Sequence, residues 1–141
     1  MQFAKAVSVL IINSERKVLA VSRVEKDKER KKIIKNGDVI PIDKWGLPGG
    51  KMDNTDATIY DAASRELKEE TGLNSIGLYP VYTGLSTLKK FMVTTFMCSK
   101  IYGKIKRQHM EGNVDWKNIK DIINGPFGDY NKNLFESLRL I

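Results

Sequence analysis

Hydrophobic and polar positions along this 141-residue chain alternate in short blocks rather than long repeats. FAKAVSVLII (3–12) is apolar and β-branched almost without interruption, which predicts a first strand buried on both faces. NSER supplies a turn and KVLAVSRV (17–24) a second strand, so together they predict a hairpin. From Glu25 to Lys44 the apolar period is lost among charges. The exception is KNGDVIPI, whose Asn-Gly predicts a small hairpin inside a long loop. An insertion of that length between core elements is more often a functional loop than part of a framework.

WGLPGGKMDNTDA (45–57) is a run of turn formers, followed by a helix signature. Thr58 is placed as an N-cap with Asp61 completing a capping box, and the helix runs through IYDAASRELKEE to a stop at Gly72. Tyr60, Ala63 and Leu67 form its predicted apolar stripe. SIGLYPVYTGL and KKFMVTTFMCSKIY predict two further strands, WKNIKDIIN a short helix, and YNKNLFESLRLI a C-terminal one. Strands and helices mix without regular βαβ alternation, so the expected class is α+β and layered, in one domain spanning 1–141.

Composition narrows the class. A hydrophobic content of 41% fits a folded domain rather than a disordered chain. VSVLII, the longest apolar run, is too short to span a bilayer and lacks the flanks of a signal peptide, so neither a membrane nor an export role is expected. Cys98 stands alone, which excludes an internal disulfide framework, fits a reducing cytoplasm, and predicts a buried strand thiol rather than a reactive one. The net charge of +7 favours phosphate-bearing partners, nucleotide or RNA, and is densest at RVEKDKERKKIIK (23–35). The three acids inside that segment equally permit a solvated loop. Nothing in the residues specifies an oligomeric state.

RELKEETGL (65–73) carries the candidate chemistry. Glu66, Glu69 and Glu70 stand at i, i+3 and i+4 near the helix end whose backbone dipole is already negative. Each like-charge pair costs about 0.2–0.5 kcal/mol. An exposed acidic face softened by Arg65 and Lys68 tolerates that cost, whereas a divalent cation would convert the repulsion into coordination. Gly49-Gly50 just upstream lets backbone approach a metal or phosphate, with Lys51 placed to screen phosphate charge. As a plain turn the pair needs no such explanation.

Together these residues resemble the Nudix box, G-x5-E-x7-R-E-U-x-E-E-x-G-U, matched by Gly50, Arg65, Glu66, Leu67, Glu69, Glu70, Gly72 and Leu73. The resemblance implies the Nudix fold, a mixed sheet between helices. It also implies a hydrolase that attacks a nucleoside diphosphate linked to a further group, with Mg²⁺ as cofactor and Mn²⁺ as a substitute. The metal ligands would be Glu66, Glu69, Glu70 and the Gly49 carbonyl, with Arg65 orienting Glu66. The chain departs from the pattern once: the first glycine and the arginine are fifteen positions apart (65 − 50) instead of fourteen, so the box's first glutamate falls on Asp56 or Ala57.

Two further segments are similar to the MutT-type subgroup, which converts nucleoside triphosphates to monophosphate and pyrophosphate. HMEGNVDW places Glu111 as a fourth metal carboxylate or general base, against an ordinary loop glutamate. PFGDYN places Asn131 against a base edge, with Phe127 or Tyr130 as a stacking wall. The alternative makes Asn131 a helix cap and Tyr130 a core residue. Arg23 matches a nucleotide-contacting position of the same subgroup. The Pro of ADP-ribose hydrolases and the Tyr of dinucleoside polyphosphate hydrolases are absent from the matching region, which lowers those readings. An RNA 5′-end pyrophosphohydrolase using the basic 23–35 segment is one rival, and a Nudix-fold binding or sensor module that has lost turnover is another.

Overall fold

A computed structural model describes residues 3–22, 44–87, 90–106, 108–109 and 112–141. The hairpin expected at 35–42, the basic 23–35 segment with Arg23, and Glu111 lie outside the described residues. The elements are β1 (Ala4–Val9), β2 (Val18–Ser22), β3 (Trp45–Gly46), β4 (Gly49–Lys51), α1 (Ile59–Thr71), β5 (Leu73–Ser86), β6 (Phe91–Gly103), β7 (Gln108–His109), β8 (Gly112–Lys117), α2 (Ile119–Ile123) and α3 (Gly128–Ser137). Among the described residues they form two four-stranded sheets, ordered β4-β1-β6-β5 and β3-β2-β8-β7. β1 and β6 run parallel and the other pairs antiparallel, so the first sheet is mixed.

Each buried strand divides its side chains between two cores, as the two-residue strand period requires. Ala6, Leu10, Val18, Ala20 and Val93 face Ile122 of α2 and Tyr130, Leu134 and Phe135 of α3. Val7, Val9, Leu19, Val21 and Phe96 face Ala62, Ala63 and Leu67 of α1. The strands therefore lie between helices on both sides, and the unbroken apolar run of β1 follows from burial on both faces.

The expected hairpin between β1 and β2 is not formed as a paired ladder. Asn13 N donates to Lys17 O and Leu19 N to Ile11 O, each at 2.9 Å, around an isolated bridge from Ile12 to Val18. Beyond that turn the strands enter different sheets. The reason is valence: β1 already pairs with β4 and β6, and β2 with β3 and β8, so neither has an edge left for the other.

α1 begins and ends where local chemistry directs it. Thr58 Oγ1 accepts from Asp61 N at 3.2 Å while the Asp61 carboxylate accepts from Thr58 N at 3.1 Å, and Gly72 closes the helix at φ 85°. Its buried stripe differs from expectation. Ala62, Ala63 and Leu67 are fully buried, but Tyr60 is 46% exposed, with a T-shaped contact to Phe96 at 5.0 Å. α2 starts at Ile119 because Trp116 and Lys117 pair in β8, and α3 starts two residues before Tyr130. Cys98 is half-buried on β6, and its partial desolvation raises the thiol pKa. Among the described residues no helix is long and apolar enough to cross a membrane.

Leu67→Ala should lower unfolding free energy by about 2–5 kcal/mol through the cavity it opens under α1. Thr58→Ala should cost about 1 kcal/mol by removing the cap. Urea denaturation followed by circular dichroism measures both, and a smaller loss at Leu67 than at Thr58 would contradict this packing.

Candidate active site

Helix α1 sorts its glutamates by how it sits on the sheets. Ala63 and Leu67 mark the centre of its buried face, and Glu66 and Glu70 continue one flank of that face. Glu70 is consequently 3% exposed and the Glu66 side chain 13%, while the Glu69 side chain remains 58% exposed. The crowding visible in sequence becomes two inward carboxylates and one outward.

Arg65 ties this end of the helix to the preceding loop. Its Nε donates to Asp56 Oδ1 at 2.9 Å and Nη2 to Asp56 Oδ2 at 2.7 Å, a two-pronged pair on a carboxylate that is nearly inaccessible. Nη1 donates to Glu66 Oε1 at 3.0 Å and Glu69 Oε2 at 3.3 Å, and Nη2 also lies 3.5 Å from the Lys51 carbonyl. Asp53 N donates to Asp56 Oδ2 at 3.0 Å, so the loop wraps around the carboxylate. The hydrogen bonds from Arg65, then that from Asp53, hold the Asp56 carboxyl at a pKa of about 2 against its ordinary 3.8. The same pairing raises the Arg65 pKa and keeps the guanidinium charged. Of the two residues competing for the box's acidic position, Asp56 makes this pair and Ala57 is exposed. Counted from Asp56, the extra residue falls before Arg65, nine positions on (65 − 56) where the pattern has eight.

The two glycines of β4 serve different contacts. Gly49 lies opposite Ser8 of β1, and a Cβ on it would stand 2.1 Å from the Val7 carbonyl oxygen. A Cβ on Gly50 would stand 2.6–2.9 Å from the Glu66 carboxyl group. Gly50 thus makes the space in which Glu66 lies across β4.

A cleft of about 370 Å³ runs from this point along the sheet face. Gly49, Gly50, Lys51 and Glu66 line it together with Phe91, Phe127, Tyr130 and Asn131. Phe91 and Phe127 approach at 6.3 Å between ring centroids. Tyr130 is a core residue as well as a cleft residue: it is 2% exposed, with its hydroxyl 2.6 Å from Thr95 Oγ1. Asn131 does not cap α3, whose N-cap is Phe127. Asn131 N donates within the helix to Phe127 O at 2.8 Å, while its amide side chain borders the cleft. Asp129 fixes the first turn of α3 to the end of β5 by accepting from Ser86 Oγ at 3.0 Å and Thr87 N at 2.9 Å. Ser8, Lys44 and Phe91 also line the cleft. Sequence reading did not single them out, because each lies in a strand end or loop with no motif around it.

The donors at the β4 end are all oxygens: the Glu66, Glu69 and Glu70 carboxylates and the Gly49 carbonyl, a set that suits a hard divalent cation. Among the described residues no three His, Cys, Asp or Glu side chains converge on one point. Arg65 engages one oxygen each of Glu66 and Glu69, and the second oxygen of each accepts no hydrogen bond from a described residue. The chemistry of these donors fits such a cation.

The family model described as "NUDIX domain" matches residues 2–136. A Bacillus subtilis (strain 168) protein, "Uncharacterized Nudix hydrolase YvcI", is 33% identical over 89 residues, covering 58% of this chain. The match covers 56% of that relative, so it spans about half the relative's length. A MutT NUDIX hydrolase from Burkholderia pseudomallei superimposes with a TM-score of 0.69 at 17% identity, covering 97% of this chain and 98% of its own. The NUDIX domain of Shewanella oneidensis NrtR, crystallised with ADP ribose, gives 0.67 at 21% identity, covering 99% and 88%. At these identities the two structures are alike in fold.

Asp56→Asn should remove the stability held by the depressed carboxyl. In the wild type that contribution is complete above pH 3.8 and lost as pH falls towards 2. Thermal melts across pH 2–7 should therefore show the variant less stable near neutrality, with the gap closing between about pH 4 and 2. A gap that persists at the acid end would contradict the pairing.

Proposed function

The chain belongs to the NUDIX domain family, and on that premise we propose that it hydrolyses a nucleoside diphosphate bonded to a further group, with nucleoside triphosphates as the preferred form. The observation that carries this reading is the cleft itself, whose lining brings Glu66 and the glycine pair together with aromatic rings and Asn131. A phosphate chain fits the first group and a base the second. Asn131 supports base reading because an amide inside a helix has no capping duty and can donate and accept at once. Phe91 and Phe127 supply apolar faces against which a base can pack.

Nudix hydrolases generally use divalent metal ions. Here Glu66, Glu69 and Glu70 with the Gly49 carbonyl would hold Mg²⁺, or Mn²⁺ in its place. When bound, such an ion neutralises phosphate charge and makes water a better nucleophile. The chain's own residues do the rest. Arg65, anchored on Asp56, keeps Glu66 turned across Gly50. Lys51 screens the phosphate oxygens. The water oxygen bonds to one phosphorus, the bridging P–O bond breaks, and the products are a nucleoside monophosphate and pyrophosphate. Glu111 is a candidate to accept the water's proton. We place this chemistry in the cytoplasm, in keeping with a lone, partly buried cysteine.

A screen of phosphate and pyrophosphate release tests the proposal over nucleoside triphosphates, nucleotide sugars, ADP-ribose and dinucleoside polyphosphates, with and without Mg²⁺. Pyrophosphate release from triphosphates, dependent on Mg²⁺, is expected. Glu70→Gln should abolish turnover while the far-ultraviolet spectrum stays unchanged, and retained activity would remove Glu70 from the metal site. Asn131→Ala should raise KM for one nucleobase more than for the others. An equal rise for all bases would return Asn131 to a structural role.

A further inference from the structure

The proposed hydrolysis leaves the basic stretch KIYGKIK (100–106) unused. From Thr71 to Met110 the sequence has six lysines and arginines and no aspartate or glutamate, so this span carries nearly all of the net charge of +7. Protein surfaces ordinarily intersperse the two signs, as the 23–35 segment does with its three acids. Here nothing in the local sequence offsets the charge.

The fold sets this charge out in a row. Ile101 and Ile105 pack against the core under α1, while Lys100, Tyr102, Lys104 and Lys106 are exposed, Tyr102 by 51%. The row ends against the C-terminus of α1, where Lys106 N donates to Thr71 O at 2.8 Å and Lys68 Nζ to Gly72 O at 3.3 Å. A Cβ on Gly72 would stand 2.6 Å from the Lys104 carbonyl oxygen and 3.1 Å from Lys106 Cγ, so the two segments are in close contact. Among the described residues no carboxylate pairs with Lys100, Lys104 or Lys106. The helix dipole accounts for Lys68, but Lys100 and Tyr102 stand on β6, beyond its reach. None of these residues lines the cleft.

We infer that this row is a docking surface for single-stranded RNA, in which Lys100, Lys104 and Lys106 hold backbone phosphates and Tyr102 stacks under a base. Cations interleaved with an exposed ring suit a single strand, because a duplex hides its base faces. A membrane-binding surface instead separates its cations from its apolar residues onto two faces. Asn74 favours RNA over DNA. It lies directly opposite Tyr102 in the β5–β6 ladder, so the two side chains share a face, and its amide has no hydrogen-bond partner in the structure. An amide there is matched by a ribose 2′-hydroxyl, since each group both donates and accepts.

The test is fluorescence anisotropy of a labelled oligouridylate of about twelve nucleotides, titrated with the full chain in EDTA over a range of salt. The readout is binding without metal, so it stands apart from turnover and from the proposed hydrolysis. Lys104→Ala combined with Lys106→Ala should weaken binding by about tenfold or more at low salt. It should also flatten the slope of log affinity against log salt by about 1.4, for two phosphate contacts at about 0.7 each. Tyr102→Ala should weaken binding by about fivefold or more and leave that slope unchanged. Lys120→Ala combined with Lys132→Ala removes the same charge from exposed positions on α2 and α3, and should cost far less. Asn74→Ala should bring oligouridylate down to the weaker affinity of oligodeoxyuridylate. Circular dichroism confirms that each exposed-site variant is folded. A Lys104 and Lys106 variant that loses no more than the α2 and α3 control overturns the inference, as does a wild type that binds oligouridylate and oligodeoxyuridylate equally. A wild type that leaves the RNA unbound but binds phosphatidylserine vesicles overturns it in favour of a membrane surface.

Discussion

The two-pronged bond between Arg65 and the inaccessible Asp56 carboxylate is the constraint on which this site is built. A single guanidinium reaches across the loop that precedes α1, and the same group steadies Glu66 and Glu69. Its planar fork makes this possible, since one edge serves Asp56 and the remaining nitrogen the helix glutamates. Lysine could neutralise the same charge but could not hold both directions at once. Asp56 contributes through position as much as charge: it also accepts from Asp53 N, so the loop and the helix are locked by one carboxylate. An aspartate is shorter than the box glutamate, and here the chain itself comes close enough to need no longer side chain.

Around that lock the fold performs a division of space. Two cores on opposite faces of the strands place α1 on one side and α2 with α3 on the other. The cleft borders β1 and the edge strand β4, so residues from both sides reach it: Glu66 across Gly50, and Tyr130 with Asn131 from α3. Gly49 and Gly50 are small for separate reasons, one to bring β4 onto β1 and one to admit a carboxylate. Asp129 secures the far wall by tying α3 to the end of β5.

Legibility varied with the range of the interaction. The capping box at Thr58 and the stop at Gly72 are local, and they could be read in full. β3 and β4 could not, because glycine-rich segments lack strand propensity and pair through backbone supplied by β2 and β1. The β1–β2 turn was legible, but not the divergence of its strands, since long-range partners claim both edges of each. Tyr60 fits the helical period of α1, yet its ring stays half-exposed, with its edge-on contact made to Phe96.

By itself the sequence determined the α+β class, the extent of α1, the family, and the set of carboxylates at its end, all of which rest on spacing within a few turns of chain. The tertiary structure decided between Asp56 and Ala57, turned Glu66 and Glu70 inward and Glu69 outward, and removed Asn131 from capping duty. It also joined Ser8, Thr95 and Tyr130, which are 87 and 35 residues apart, through the pairing of β1 with β6 and the packing of α3 on that sheet. The physical reason is common to all of these: each depends on which face of an element is covered, and covering is done by parts of the chain far away in sequence.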